Sequence, residues 1–220
     1  MKILLATART ADVAWGAAHG MLDGVLTTPS LLAEEADGDA RAHLLELCRL
    51  VPGPIFAAVH AIDAAGAYRD GKELAKLSDQ IVVQVPLVED TLGAMRRLHT
   101  DGVRVAATYV FNTAQALLAA RTGVSSVIVA LDQLDAAGHD GVRIVREVRG
   151  AFDSSDAECD VIAVHAASPT QFGACAAAGA DAVAVTEQLC RALLIHPLTH
   201  RGVEQFLGDV ARLRRLWPVG

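Results

Sequence analysis

Short apolar runs recur along the chain, separated by longer stretches in which apolar residues return every three or four positions. The runs are KILLA (2–6), GVLTT (24–28), PIFAAV (54–59), IVVQV (81–85), VRVAATYV (103–110), SVIVAL (126–131), DVIAVHA (160–166) and DAVAVT (181–186). Such runs suit strands covered on both faces. Segments such as AHLLELCRL, AYRDGKELAKL, DTLGAMRRLHTDG, TAQALLAARTG, DGVRIVREVRG and PTQFGACAAAGA carry the helical period. Gly102, Gly123, Gly150 and Gly179 stand where helices need a left-handed terminating residue. The pattern predicts eight βα units, hence an α/β fold with a closed (β/α)8 TIM barrel as one domain over residues 1–220. No linker or low-complexity tract interrupts it. Residues 196–220 add a C-terminal helical extension with Leu207, Val210, Leu213 and Leu216 on one face.

Composition sharpens this picture. The 220 residues are 52% hydrophobic but only 4% aromatic, and the formal net charge is -7. An acidic chain is a poor partner for nucleic acid or anionic membrane. No apolar stretch approaches membrane-spanning length, and no signal sequence is recognisable. Neither GxGxxG nor GxxxxGK[ST] follows the first strand. Cys48, Cys159, Cys175 and Cys190 lack CxxC spacing and read as buried thiols of a cytoplasmic protein. No cofactor or metal site is expected. His60, His165 and Asp132 are conceivable ligands, but no local spacing supports them.

The segments MKILLATA, DGVLTTPSLLAEE, IVVQVP, TYVFNTAQALLAARTG, LDAAGHDGVRIVREV and HPLTHRGVEQFLGD resemble the small transaldolase and fructose-6-phosphate aldolase family, in order and over nearly the whole chain. The resemblance implies a barrel that transfers or cleaves a dihydroxyacetone unit through a lysine imine. It also implies departures at the site. The family's strand-one aspartate falls on Ala6, its asparagine before proline on Thr28, and a strand-three acid or amide on Ala58. The imine lysine falls on Gln84, the arginine after strand six on Gln133, and the strand-seven serine and arginine on His165 and Ala167. Thr108 alone keeps the pattern.

An amide nitrogen cannot form an imine. The only lysines are Lys2, Lys72 and Lys76, expected at the barrel bottom and on an outer helix. The parity of the family's site, carried along each strand by alternation, then implies that Ala6, Thr28, Ala58, Gln84, Thr108, Ala130 and His165 point inward, with His60 in the same mouth. His165, Gln84 and Thr108 are the candidate catalytic residues. Thr28, Ala58, His60, Asp132, Gln133 and Glu187 are candidates for binding substrate. Asp132 and Glu187 equally suit helix N-termini.

The expected function is acid–base chemistry (enolisation, elimination, cyclisation or isomerisation) on a small-molecule carbonyl compound larger or less charged than a sugar phosphate. The alternative is a catalytically silent transaldolase-like binding or scaffold protein. The residual alternative is an aldolase or transaldolase acting on sugar phosphates. The resemblance also implies a homo-oligomer, a pentamer or decamer, with the last helix and Trp217 docking on a neighbour.

Overall fold

A computed structural model describes residues 1–216, and the side chains of residues 214–216 are not considered further. The first units are β1 (Lys2–Ala6), α1 (Thr10–Ala18), β2 (Gly24–Leu26), α2 (Pro29–Glu35) and α3 (Ala40–Leu50). Next come β3 (Ile55–Ala58), α4 (Ala64–Ala75), β4 (Ile81–Pro86), α5 (Glu89–Thr100), β5 (Val105–Thr108) and α6 (Thr113–Ala120). Then follow β6 (Ser126–Ala130), α7 (Leu131–Ala136), α8 (Gly141–Ser154), β7 (Asp160–Val164) and α9 (Pro169–Ala177). The last are β8 (Ala182–Val185), α10 (Glu187–Ala192) and α11 (Pro197–Leu216). The strands are parallel and pair in sequence order, and β1 closes on β8 through registers such as Leu4↔Ala184.

Closure follows from the side chains. The outward strand residues, among them Val25, Ile55, Val83, Val127 and Val161, are fully buried against the helices. The inward set, Leu4, Leu26, Phe56, Val82, Ala106, Ile128, Ile162 and Ala184, fills the lumen as a second cluster. The barrel is therefore a packed core with its usable surface at the strand C-termini. Side chains of Thr28, Asp39, Asp63, Asn112, Asp140, Ser168 and Thr186 each accept a backbone N–H at a helix start. A short polar side chain suits each of these positions.

Gly102, Gly123 and Gly179 have positive φ at the ends of α5, α6 and α9, as expected. Gly150 does not. It lies inside α8, which runs on to Ser154 because Phe152, two residues further on, is fully buried. Asp156 (φ 51°) makes the left-handed turn instead, a conformation that aspartate tolerates. The expected β2 also ends early, at Leu26, because Thr28 turns to cap α2.

Burial pushes the Cys159 thiol up to about 12 and the Cys175 thiol up to about 11. Both stay protonated and inert near neutrality. Among the described residues, no helix is long and apolar enough to cross a membrane.

Gly53 is held by backbone contact. A Cβ there would lie 1.6 Å from the Asp23 carbonyl oxygen, where β2 and β3 enter the barrel. Gly53→Ala is expected to cost at least ~4 kcal/mol, on the order of ten degrees in Tm. Gly93→Ala meets nothing within 4 Å, and is expected to be neutral or stabilising by ~0.5–1 kcal/mol in its helix. Scanning calorimetry of the pair checks both; equal Tm values would refute the steric account.

Candidate functional site

A cavity of about 530 Å³ opens at the C-terminal mouth of the barrel, within the range of small-molecule sites. Its floor is Leu26, Ile128, Ala130 and Val164, with Ala58 and Gln84 on β3 and β4. Ala58 and Gln84 are register partners, as are Pro86 and Thr108 on β4 and β5. The rim adds Thr28, Ser30, Tyr109, Gln133 and His165. Among the described residues, no lysine, arginine, aspartate or glutamate lines this cavity; its titratable side chains are Tyr109 and His165.

Gln84 is buried (5% exposed), and its Nε2 donates to the Thr27 carbonyl at 2.8 Å. That bond fixes the amide plane. One N–H and the carbonyl oxygen of the amide remain for a ligand. Thr28 accepts the Leu31 N–H at 3.2 Å as the cap of α2, which leaves its O–H free to donate. Thr108 makes no side-chain hydrogen bond among the described residues and lines the cavity beside Gln84.

His165 is in the mouth, but not by strand alternation. The inward residues of β7 are Ile162 and Val164, so continued pleating would turn position 165 outward. The backbone instead takes a left-handed conformation there (φ 62°), which returns the imidazole to the rim. Tyr109, just past β5, does the same (φ 60°). Non-glycine residues pay about 1 kcal/mol or more for such φ values, and such strain clusters at functional sites. Sequence reading passed over Tyr109 and Ser30 as site residues. No sequence signal announces a left-handed tyrosine, and Ser30 reads only as the second residue of a capped helix.

His165 Nδ1 lies 2.9 Å from Asp132 Oδ1 at the start of α7. An ionised carboxylate only accepts, so Nδ1 carries the proton and Nε2 is the basic nitrogen. Asp132 thus acts on His165 and does not line the cavity. The remaining expectations fare differently. Gln133 and Ala58 line the cavity. His60 does not share the mouth: after Ala58 the chain turns outward, and His60 lines a separate groove toward α3 and α4. Its N–H and that of Ala61 are held by Asp70 at 3.1 Å. Glu187 is also outside the cavity. It starts α10 and pairs with Arg191, whose guanidinium lies 3.8 Å over the Trp15 ring.

The lysines sit away from the mouth. Lys2 pairs with Asp160 at 3.6 Å at the N-terminal end of the barrel. Lys72 pairs with Asp101 at 3.0 Å, and Lys76 with Glu73 at 2.6 Å, both on the outer helix α4. Among the described residues, no group of three or more His, Cys, Asp or Glu is placed to hold a metal ion.

A sequence model of the transaldolase/fructose-6-phosphate aldolase family matches residues 7–216. A probable transaldolase of Hyphomonas neptunium is 39% identical over 96% of this chain and 98% of its own length. Those of Carboxydothermus hydrogenoformans and Herpetosiphon aurantiacus are 34% and 36% identical, over 98% and 95% of this chain and 100% and 94% of theirs. Match and coverage together with the closed barrel establish that the chain belongs to the transaldolase/fructose-6-phosphate aldolase family.

Proposed function

We propose that the protein is a diverged family member that works by acid–base catalysis on a carbonyl compound, without a lysine imine. The observation that carries this reading is the His165–Asp132 pair at the rim of a cavity that, among the described residues, is lined by no amine. Nor does any charged side chain among the described residues line it to bind a phosphate. An uncharged, polar carbonyl portion of the substrate suits it better than a sugar phosphate.

In this reading Gln84 stands where the family's lysine would stand. The carbonyl oxygen accepts from the Thr108 hydroxyl and the free Gln84 N–H, with Thr28 as a further donor. His165 Nε2 takes a proton from the adjacent carbon, and the electron pair moves onto oxygen as an enolate held by those donors. The imidazolium, stabilised by Asp132, returns the proton to carbon or to a leaving oxygen, giving exchange, isomerisation or elimination. The step calls for no cofactor. The four cysteines are free among the described residues, in keeping with a reducing cytoplasm.

The test is incubation in deuterated water with ketones and β-dicarbonyl compounds, beside borohydride trapping with dihydroxyacetone and fructose 6-phosphate, both read by mass. Deuterium uptake without a trapped adduct is the expected result. A trapped adduct would overturn the reading in favour of aldolase or transaldolase chemistry on an existing amine, the reading that the names of the relatives favour. Silence in both assays would favour a binding or scaffold protein.

The homo-oligomer belongs to the same proposal. Leu198, Val203, Phe206, Leu207 and Leu213 on α11 are at least half exposed, an apolar stripe that a second copy would cover. The side chain of Leu216, and Trp217, lie outside the described residues. Phe206→Asp with Leu207→Asp is expected to reduce the particle to smaller species in sedimentation. An unchanged sedimentation coefficient would dismiss α11 as the interface.

A further inference from the structure

Two open depressions lie beside the mouth cavity, one of about 330 Å³ against Pro29, Leu32 and His60 and one, a groove of about 310 Å³, between α3 and α4. Ala58 borders all three spaces.

The mouth and the groove differ in charge. The mouth is lined by no cation or anion among the described residues, whereas the groove carries His60, Arg41, Arg69, Asp70 and Glu73. The carboxylates are engaged elsewhere. Asp70 Oδ2 accepts the N–H groups of His60 and Ala61, both at 3.1 Å, which fixes the loop after β3. Glu73 accepts from Lys76 at 2.6 Å, and that bond is the main cause holding its carboxyl below the usual range. The guanidiniums are held loosely by comparison. Arg41 approaches Glu73 only to 3.9 Å and Arg69 approaches Asp70 only to 4.0 Å. Neither guanidinium donates a hydrogen bond within the described structure, nor does the His60 ring. Two guanidiniums held only by long ion pairs, and an imidazole beside an apolar depression that borders the mouth, match an oxyanion.

We infer that the groove is a specificity subsite for the far end of an elongated substrate, a carboxylate or phosphate end group held by Arg41 and Arg69 with His60. The inference rests on the mouth being the carbonyl site and names the substrate class: a carbonyl compound whose anionic terminus lies at a distance from the reacting carbon. The anion is then recognised outside the cavity where the carbonyl reacts.

The test is titration calorimetry at low ionic strength, where exposed guanidinium contacts are least screened. The probes are methyl-ketone carboxylates of graded chain length, their methyl esters, and the matching keto-alkyl phosphates. The wild type is expected to bind the anions of suitable length about tenfold more tightly than the esters, the order of one charge-assisted contact. Arg41→Gln with Arg69→Gln is expected to abolish that preference while leaving ester affinity unchanged. Both arginines are exposed, so the double variant is expected to fold, and its Tm is recorded beside each titration. Equal affinity for acid and ester at every length, absence of binding by all probes included, would overturn the subsite, as would a preference that survives in the double variant. Whether phosphates or carboxylates bind better identifies the end group. Carboxylates of equal length lacking the ketone separate the two readings: arginine-dependent binding as tight as that of the keto acids keeps the subsite and removes the carbonyl role of the mouth.

Discussion

Replacing His165 with asparagine is expected to lower deuterium exchange into a carbonyl substrate by about 10²- to 10⁴-fold, the usual worth of a general base. Asparagine is the informative replacement because position 165 has φ 62°, and asparagine accepts that conformation with less strain than alanine or a branched residue. It can also still donate to Asp132. What it lacks is a titratable nitrogen. Substrate affinity is expected to change little, so the loss should fall on kcat. Asp132→Asn removes the charge that orients Nδ1–H and stabilises the imidazolium, and should cost less, about tenfold to a hundredfold. A His165→Asn enzyme with wild-type exchange would remove the imidazole from the mechanism. A loss that tracked a fall in Tm would reduce it to a structural role.

Gln84→Lys carries the second large effect, a gain. The side chain is buried beside Thr27, Ala58 and Ala106. A lysine there would be desolvated, and burial lowers a lysine's pKa toward the neutral, nucleophilic amine. Borohydride with dihydroxyacetone is therefore expected to trap one reduced triose unit on the variant and none on the wild type. The variant gives up the bond to the Thr27 carbonyl, and a stability loss of ~1–2 kcal/mol is expected. An adduct on both proteins would mean that an existing amine already serves. An adduct on neither would mean that position 84 is not where the family's imine forms.

The site was half legible before any coordinates. Gln84, Thr108 and Ala58 could be placed in the mouth because strand period, phased by the family's site, fixes which residues point inward at the C-terminal face, and Thr28 and Gln133, past their strands, were placed by the resemblance. The carboxylate that orients the His165 ring, Asp132, stands thirty-three positions away in sequence. His60 and Glu187 were misplaced for one reason. Each lies beyond the end of its strand, where the pleat no longer governs direction and the loop's own hydrogen bonds do: Asp70 for His60 and the Arg191 pair for Glu187.

The sequence by itself determined the number of strands, their order and the absence of any lysine from the C-terminal strand ends, because all three follow from local period and composition. Only the tertiary structure decided that His165 enters the mouth through a left-handed backbone rather than by alternation. It alone paired that ring with Asp132, and it alone set Ala58 on the border of both the mouth and the groove that holds Arg41 and Arg69. Those features depend on how neighbouring βα units sit against one another after the barrel closes, and residues far apart in the chain carry no local signal of where they will meet.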